Sequence, residues 1–554
     1  MSRLSQMKSK FFPILVLLAI NLLIGLLTFK DYGLSWDEPL YYDYAESIGY
    51  AYSPHEWFSG DFDLEKAFGP SASDHANRGP AYLLIARGPA ALLQILGLDR
   101  ASAWHLINFL TFQIGVFVFY LLCLRWMDPL PSMATTAFFS SQPLLWGHAF
   151  INSKDIPSLV FFILSIWSGL VMVDSFFKTS LPRTQVYLVL ASGVLLGLLT
   201  CMRVVGPLAG LLIICFGINR YLFRKRSPAK ISPEPIRYFS LLLILYPITC
   251  LLITLITWPY LWPDPFNRFI DVLRFMSSNP TQLAVLFQGQ ILRSDLLPRR
   301  YLPTLLGLTL TEPVWLLFAA GLIISFIKDG LLHRRFDTKS PSADTENHTT
   351  YPQSHPSRDE YGLALAWFFI PVVYVILRTP PMYDGFRHFF FILPPVFLIS
   401  GLAIQVMSRL VKRMSVKLIL ISLLLLPGIL IAGQLHPYEY TYYNSLIRWT
   451  GGAFRLFETD YWLTCYKETV QTYQTINQEP VNIFVKREPY IAAYYANEQL
   501  TIVDYRMQYN QISPGDLVLV NTRSNEDLQT FKDSPSILTI GRMGADFCDL
   551  KQVQ

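Results

Sequence analysis

About eleven separate stretches of this chain are apolar over roughly the 20 residues that a helix needs to cross a bilayer. They fall at Phe11–Phe29, Ala101–Leu124, Ser132–Phe150, Ile156–Phe177, Gln185–Leu199, Val204–Leu222, Tyr238–Trp258, Leu302–Ile327, Leu363–Leu377, Phe389–Met407 and Leu418–Leu435. A helix that is apolar on every side has to be covered everywhere, and one soluble core cannot cover this many. Only 15% of the 554 residues are charged, where a soluble chain carries about a quarter. The expected fold class is therefore an α-helical polytopic membrane protein with about 11 transmembrane helices. A further apolar stretch, Ala81–Leu98, is interrupted by Arg87-Gly88-Pro89 and is expected to lie as a helix at the membrane surface. Arg3, Lys8 and Lys10 precede the first segment, and no small-residue cleavage site precedes Lys30-Asp31. That segment reads as a retained signal-anchor.

Lys and Arg set orientation. With Met1 inside, the inner loops hold Arg224-Lys225-Arg226, His333-Arg334-Arg335 and the run Arg409, Lys412, Arg413, Lys417. The first outer loop lies within 30–100, and its part Asp31–Pro80 carries ten acidic residues against Lys66 and Arg78. An odd number of spans then leaves everything after His436 outside. The inner stretch Lys328–Glu360 is rich in Ser, Pro, Thr and His and is expected to be disordered. It holds the sequon Asn347-His348-Thr349, which on this topology would escape glycosylation.

Two domains are expected. Residues 1–435 form the transmembrane part, and 436–554 a small α/β domain outside. In the latter, Thr464–Asn477 has a helical pattern, Val481–Val485 and Asp516–Val520 look like buried strands, and Glu488–Ala496 and Asn525–Lys532 suit helices. The six cysteines show no CxxC and no metal-ligand spacing, which argues against a zinc site. Cys465 and Cys548 are the two expected outside and are free to pair.

The chemistry concentrates on that outer side. Gly33-Leu-Ser-Trp-Asp37-Glu38-Pro39 follows the first span, and a helix after Pro39 would set its aromatic side in the headgroups. Asp37 or Glu38 would serve that helix as a cap if nothing else. Arg78 stands in Asn77-Arg-Gly-Pro80, and His148 ends the third span. Lys154-Asp155-Ile-Pro157 starts the fourth, and Asp384-Gly-Phe-Arg387-His388 precedes the tenth. Each has a structural alternative: a snorkelling lysine, a cap, an interfacial anchor. Arg203, within Gly197–Gly206, resists that treatment, because an arginine in so apolar a stretch needs a partner or an aqueous cavity. Carboxylates and guanidiniums together at a lipid–water boundary suit a reaction between a lipid phosphate and a polar acceptor. Arginine's planar fork binds phosphate oxygens, and a carboxylate takes the acceptor's proton.

A DE pair after the first span, K-D-x-P at the start of the fourth and a basic residue after the fifth resemble the GT-C glycosyltransferases. The resemblance is to the polyprenyl-phosphate-sugar-dependent branch, which includes protein O-mannosyltransferases and lipid A aminoarabinose transferases. Tyr383–Phe391, His436–Tyr440 and Phe457–Trp462 are similar to stretches in bacterial-type members, and the likeness covers roughly Phe11–Trp462. It implies inverting transfer of one sugar, hexosyl or pentosyl, from a polyprenyl-phosphate donor to a protein, lipid or glycan acceptor. Asp37 would be the general base, with Glu38 and Asp155 orienting the acceptor or Asp37. Arg203, Arg78, Arg387 and His388 would hold the phosphate, and His148, Lys154 and Asp384 would line the substrate site. The W-W-D-x-G signature of oligosaccharyltransferases is absent, so transfer of a whole oligosaccharide is not expected. No cofactor is implied; a divalent metal is compatible but not required, since arginines neutralise a leaving phosphate. Membrane lipids are expected partners and nucleic acid is not. The membrane would be the inner one in a bacterium or that of the endoplasmic reticulum in a eukaryote. Two rival functions stay open: a secondary transporter, although no internal repeat is visible, and a non-catalytic membrane protein whose outer domain binds a partner.

Overall fold

The computed structural model describes residues 3–70, 75–177, 182–225, 234–278, 282–327 and 356–554. The membrane part runs α1 (Arg3–Thr28), α2 (Glu38–Ser47), α3 (Ala81–Ile95), α4 (Arg100–Trp126), α5 (Pro129–Ser140), α6 (Pro143–Ile151), α7 (Asp155–Phe176), α8 (Pro182–Met202), α9 (Gly206–Lys225), α10 (Glu234–Thr257) and α11 (Pro265–Ser278). A hairpin of β1 (Ala284–Phe287) and β2 (Gln290–Arg293) follows, then α12 (Tyr301–Leu308), α13 (Pro313–Ile327), α14 (Arg358–Arg378), α15 (Leu393–Leu410) and α16 (Met414–Leu435). Every apolar segment of the sequence is thus helical, as is Ala81–Ile95. Among the described residues, eight helices are long and apolar enough to cross a membrane, or nine if α12 and α13, bent by 106°, form one span.

Two expected spans are broken, and the breaks meet. Ser132–Phe150 is two helices: α5 ends at Ser140, and α6 restarts at Pro143, whose fixed φ and missing N–H suit a first helical turn. Gln142 sits in the gap, buried. Its amide donates to the Phe138 carbonyl at 2.9 Å and to Thr311 Oγ1 at 3.0 Å, and its oxygen accepts the Thr311 N–H at 3.0 Å. Thr311 lies in the bend between α12 and α13, so the Gln142 side chain satisfies the backbone of that bend and the Thr311 hydroxyl in turn holds the Gln142 amide, as apolar surroundings demand.

Ion pairs tie one end of the bundle. Arg125 of α4 pairs with Asp174 of α7 at 2.9 Å and with Glu360 of α14, and Arg220 of α9 pairs with Asp174 and, at 3.3 Å, with Asp359. Residues 328–355, with His333–Arg335 and the Asn347 sequon, lie outside the described residues.

Beyond α16 come α17 (Cys465–Ile476), β3 (Val481–Val485), α18 (Pro489–Tyr495), β4 (Leu500–Asp504), β5 (Leu517–Asn521), β6 (Ser536–Arg542) and β7 (Ala545–Gln552). The sheet order is β4-β3-β5-β7-β6, with β3 parallel to β4 and β5 and the β7 pairings antiparallel. The central β5 is buried at every residue, which accounts for its unbroken apolar run. Cys465 and Cys548 are joined, stapling α17 to β7. Asn525–Lys532 is not the expected helix. Ser524 and Asn525 take φ of 52° and 56°, which breaks right-handed winding at the start of the segment and leaves only a short 3₁₀ turn at Arg523–Leu528.

Candidate functional site

The stretch after α1 lies against the C-terminal part of the chain. A Cβ on Gly33 would stand 2.2 Å from the Thr464 carbonyl, so no larger residue fits there. The Leu34 N–H donates to the Tyr495 hydroxyl at 2.9 Å, the Tyr490 hydroxyl donates to the Trp36 carbonyl at 2.8 Å, and the Trp36 N–H donates to the Trp462 carbonyl at 3.2 Å. α2 then begins, but not as a helix in the headgroups. Tyr41, Tyr42, Tyr44 and Ala45 are buried in protein, stacked among Trp104, His75 and Phe68.

The two carboxylates of the DE pair part company. Glu38 is 1% exposed, and its oxygens accept the Ser35 N–H and the Tyr42 hydroxyl, each at 2.7 Å, with His105 Nε2 at 3.2 Å. It fastens the start of α2 and does not line the cavity described below. Asp37 stands at the N-cap position yet makes no capping hydrogen bond. Its side chain is 25% exposed, and one oxygen lies 3.6 Å from Arg387 Nη2.

Asp37 opens onto a cavity of about 450 Å³ whose polar end also holds Tyr41, Asn77, Arg78, Lys154, Arg203, Tyr383, Arg387 and His388. The rest of its wall is apolar, from Val205 and Leu208 beside α9, Leu273 and Met276 of α11, and Ile370 and Tyr374 of α14. Loops place the cations. Arg203 follows the last turn of α8, its N–H still bonded to the Leu199 carbonyl at 2.9 Å. Gly79 brings Arg78 beside it, because a Cβ at 79 would stand 1.7 Å from the Cys201 carbonyl. Asn152 accepts the N–H groups of Lys154 and Asp155 at 3.1 and 2.7 Å, starting α7.

Asp155 is buried behind the wall and is fully engaged. It pairs with Arg203 through one oxygen, and the other takes Arg387 Nη1 at 2.9 Å and Asn152 Nδ2 at 3.1 Å. Asp384, wholly buried, accepts Arg387 Nη2 and Trp462 Nε1 on one oxygen, each at 3.2 Å, and its other oxygen lies 2.7 Å from Arg523 Nη1 as an ion pair without hydrogen-bond geometry. Arg387 also lies over the rings of Trp462 and Tyr383, 4.9 and 5.4 Å from their centres. Two cations differ. Arg78 donates to the Tyr41 hydroxyl at 3.0 Å, and Lys154 lies 5.6 Å from the Tyr41 ring centre. Among the described residues neither has a carboxylate in ion-pair reach. Burial first, then Arg203 and Arg78, press the Lys154 ammonium well below its ordinary pKa. His148 stands outside the cavity, bonded through Nε2 to the Tyr461 hydroxyl at 2.8 Å and through Nδ1 to Asn152 at 3.1 Å.

Of the expected site residues, Asp37, Arg78, Lys154, Arg203, Arg387 and His388 therefore share one cavity. Asp155 and Asp384 stand behind it as counter-ions, and Glu38 and His148 face elsewhere. Tyr41, Tyr383, Trp462 and Arg523 belong to the cluster without having been expected. A metal finds poor ligands here, since Asp37 is the one carboxylate on the cavity wall among the described residues. The grouping of Asp460, Cys465 and Cys548 offers no thiolate, because its cysteines are joined.

No protein-family model and no curated protein matches the chain. Solved structures do. The archaeal oligosaccharyltransferase AglB from Archaeoglobus fulgidus, in complex with an inhibitory peptide and a dolichol-phosphate, aligns at 12% identity over 95% of this chain and 71% of its own, with a TM-score of 0.50. This chain therefore shares the fold of that structure. ArnT from Cupriavidus metallidurans in the apo state also matches, at 12% identity over 97% of both chains, with a TM-score of 0.48. The AglB alignment takes in both the helical part and the small sheet after it, since it spans 95% of this chain.

Proposed function

We propose that this protein is a membrane glycosyltransferase that moves a single sugar from a polyprenyl-phosphate donor to a hydroxyl or amine acceptor, with inversion. The observation that carries this reading is the division of labour among the charges. Asp37 is the carboxylate left without a cap to make, while Arg78 and Lys154 are the cations left without a carboxylate. A sugar phosphodiester bound between them would have its phosphate on Arg78, Lys154 and the Tyr41 hydroxyl, and its anomeric carbon toward Asp37. Asp37 accepts the acceptor's proton as the new C–O bond (C–N for an amine) forms at the anomeric carbon and the sugar–phosphate C–O bond breaks. The leaving phosphate gains a negative charge in that step. Arg387 and Arg203, held in place by Asp155 and Asp384, add positive potential where the charge appears, at no cost of reorganisation. The polyprenyl tail would lie along the apolar wall between α9, α11 and α14. AglB, which has the same fold, is solved with a dolichol-phosphate. These cations stand where a divalent ion would otherwise act, so turnover should persist in EDTA.

The joined pair Cys465–Cys548 favours an oxidising compartment for the sheet domain. The polar end of the cavity lies beside the segments that contact the sheet, and with the Lys/Arg asymmetry this supports a reaction on the periplasmic or luminal side. A cysteine at exposed Glu498 should take an impermeant maleimide on intact cells, and one at exposed Ser415 should take it only after permeabilisation. The function is tested by incubating the purified protein with polyprenyl-phosphate sugars in membranes and weighing the lipid product. Release of polyprenyl phosphate matched by a sugar mass on an acceptor is expected. Donors that stay intact with every acceptor class would remove the proposal and return the cavity to a transport or binding role.

A further inference from the structure

Arg523 belongs to the sheet, in the turn after β5, yet its side chain reaches the back of the cavity and is 1% exposed. Its Nη1 lies 2.7 Å from Asp384 and donates to the Tyr461 carbonyl, and its guanidinium lies 4.5 Å from the centre of the Trp36 ring. Asp384 holds Arg387 with its other oxygen, and Trp36 is the residue before Asp37. One side chain therefore touches both segments that frame the cavity's polar end. The turn itself is braced. Glu458 accepts the Ser524 N–H at 3.3 Å, the Ser524 hydroxyl at 3.1 Å and, from β1, the Leu286 N–H at 2.7 Å. Ser524 and Asn525 are both left-handed, a conformation that persists where the surroundings over-determine it. Packing alone does not call for a guanidinium here, because an apolar side chain would cover Trp36 without the desolvation that a buried charge suffers. Among the described residues Nε and Nη2 find no hydrogen-bond partner, so what the arginine supplies is the Nη1 bond to the Tyr461 carbonyl, a charge facing Asp384 and Glu458, and a flat face on Trp36.

We infer that Arg523 is a positioning residue: through Asp384 it fixes Arg387, and through Trp36 it fixes Asp37, so the sheet domain completes the anion-binding end of the cavity. This rests on the proposal that the cavity takes a polyprenyl phosphate, and the test separates the two. Undecaprenyl phosphate is titrated against the full-length protein in nanodiscs, with thermal unfolding followed in parallel. No binding by the wild-type protein removes both ideas. With wild-type binding present, Arg523→Met should weaken it by about tenfold or more, and Arg523→Lys, which keeps the charge, should fall between. In an Asp384→Asn background the further change Arg523→Met should cost about twofold or less, because lipid-phosphate binding reads the Asp384–Arg387 branch, in which the two residues act through one contact and do not add, whereas Trp36 acts on Asp37, which does not hold the phosphate. Arg487→Met breaks a pair with Glu526 in the same turn but touches no cavity residue, and should leave binding unchanged. Wild-type affinity in Arg523→Met, effects of 523 and 384 that simply multiply, or an equal loss in Arg487→Met would each overturn the inference. Should Arg523→Met not accumulate as folded protein, the same cycle run with Arg523→Lys decides it.

Discussion

Replacing Asp37 by Asn separates catalysis from structure because the fold leaves this carboxylate so little structural work. Asn and Asp cap helices equally well, and Asp37 makes no capping bond to lose. Its one ion pair, at 3.6 Å, goes to an arginine that keeps Asp155 and Asp384 at 2.9 and 3.2 Å. At the effective dielectric near a protein surface, opposite charges at that distance attract by about 4 kcal/mol. Partly exposed pairs, once desolvation and side-chain entropy are charged against them, measure about 0.2–1 kcal/mol. Asp37→Asn should therefore change stability by less than about 1 kcal/mol, about 2 °C in melting temperature for a chain of this size. Loss of a general base costs a factor of about 10² to 10⁴ in rate, equivalent to roughly 3–5 kcal/mol in the barrier. The assay is sugar transfer from a polyprenyl-phosphate donor in membranes, normalised to folded protein, with donor binding measured alongside. Normal binding and expression with turnover down at least about a hundredfold is the expected result. Asp155→Asn provides the contrast. It leaves two buried guanidiniums short of a counter-charge and should cost stability by about 3–5 kcal/mol, so that the protein melts early whatever it catalyses. Full turnover by Asp37→Asn would refute the catalytic assignment.

Three other outcomes are expected. Glu38→Gln, which the DE motif alone would make a change in turnover, should instead lower stability by about 2–3 kcal/mol, because two 2.7 Å charge-assisted hydrogen bonds are weakened; an unchanged melting temperature would contradict this. Gly79→Ala should cost about 1–3 kcal/mol through forced backbone movement against Cys201, and with Arg78 displaced it should also weaken lipid-phosphate binding. His436 bonds Glu439 at 2.8 Å and Asp31 at 3.0 Å. Burial presses its pKa down, but those hydrogen bonds and charges outweigh burial and lift it above its usual value of 6.5. Its contribution is complete below the unfolded pKa of about 6.5 and is lost as pH rises through the lifted value, so the melting temperature should fall across that window, and His436→Gln should flatten the fall.

The helices were legible because an apolar run of span length admits few alternatives. The breaks at Gln142 and Thr311 were not, because the Gln142 side chain and Thr311 hold each other across the bundle and neither looks like an interruption from its own neighbours. Which side chains would form a site was partly legible. Apolar context flagged Arg203 as a residue needing a partner, but Asp155 read as a cap or as orienting the acceptor, and that it pairs with both Arg203 and Arg387 is something spacing along a chain cannot show. The DE pair read as a base and an orienting group of one site, whereas Glu38 is turned away to Tyr42, one helical turn on, and to His105, and Asp37 faces Arg387; the last two partners are distant in sequence. Tyr41 read as one aromatic of an interfacial stripe, since its hydroxyl acquires meaning only from Arg78. Arg523 carried no signal at all, sitting among polar residues of a sheet turn.

The meeting of Asp384 with Arg523 also imposes an order in time. Synthesis proceeds from the N-terminus, so Asp37, Arg78, Lys154, Arg203 and Arg387 are all made, with every apolar segment, before residue 523 leaves the ribosome. Until then Asp384 lacks its second guanidinium and Trp36 its cover, and Cys465 waits longer still for Cys548. On the proposed function and the proposed role of Arg523, an unfinished chain would be fully inserted in the bilayer and yet lack a completed anion-binding end. Its maturation would then be a separate event, set by the folding of the sheet against the membrane part, and a nascent chain stalled before that point would be idle rather than prematurely active.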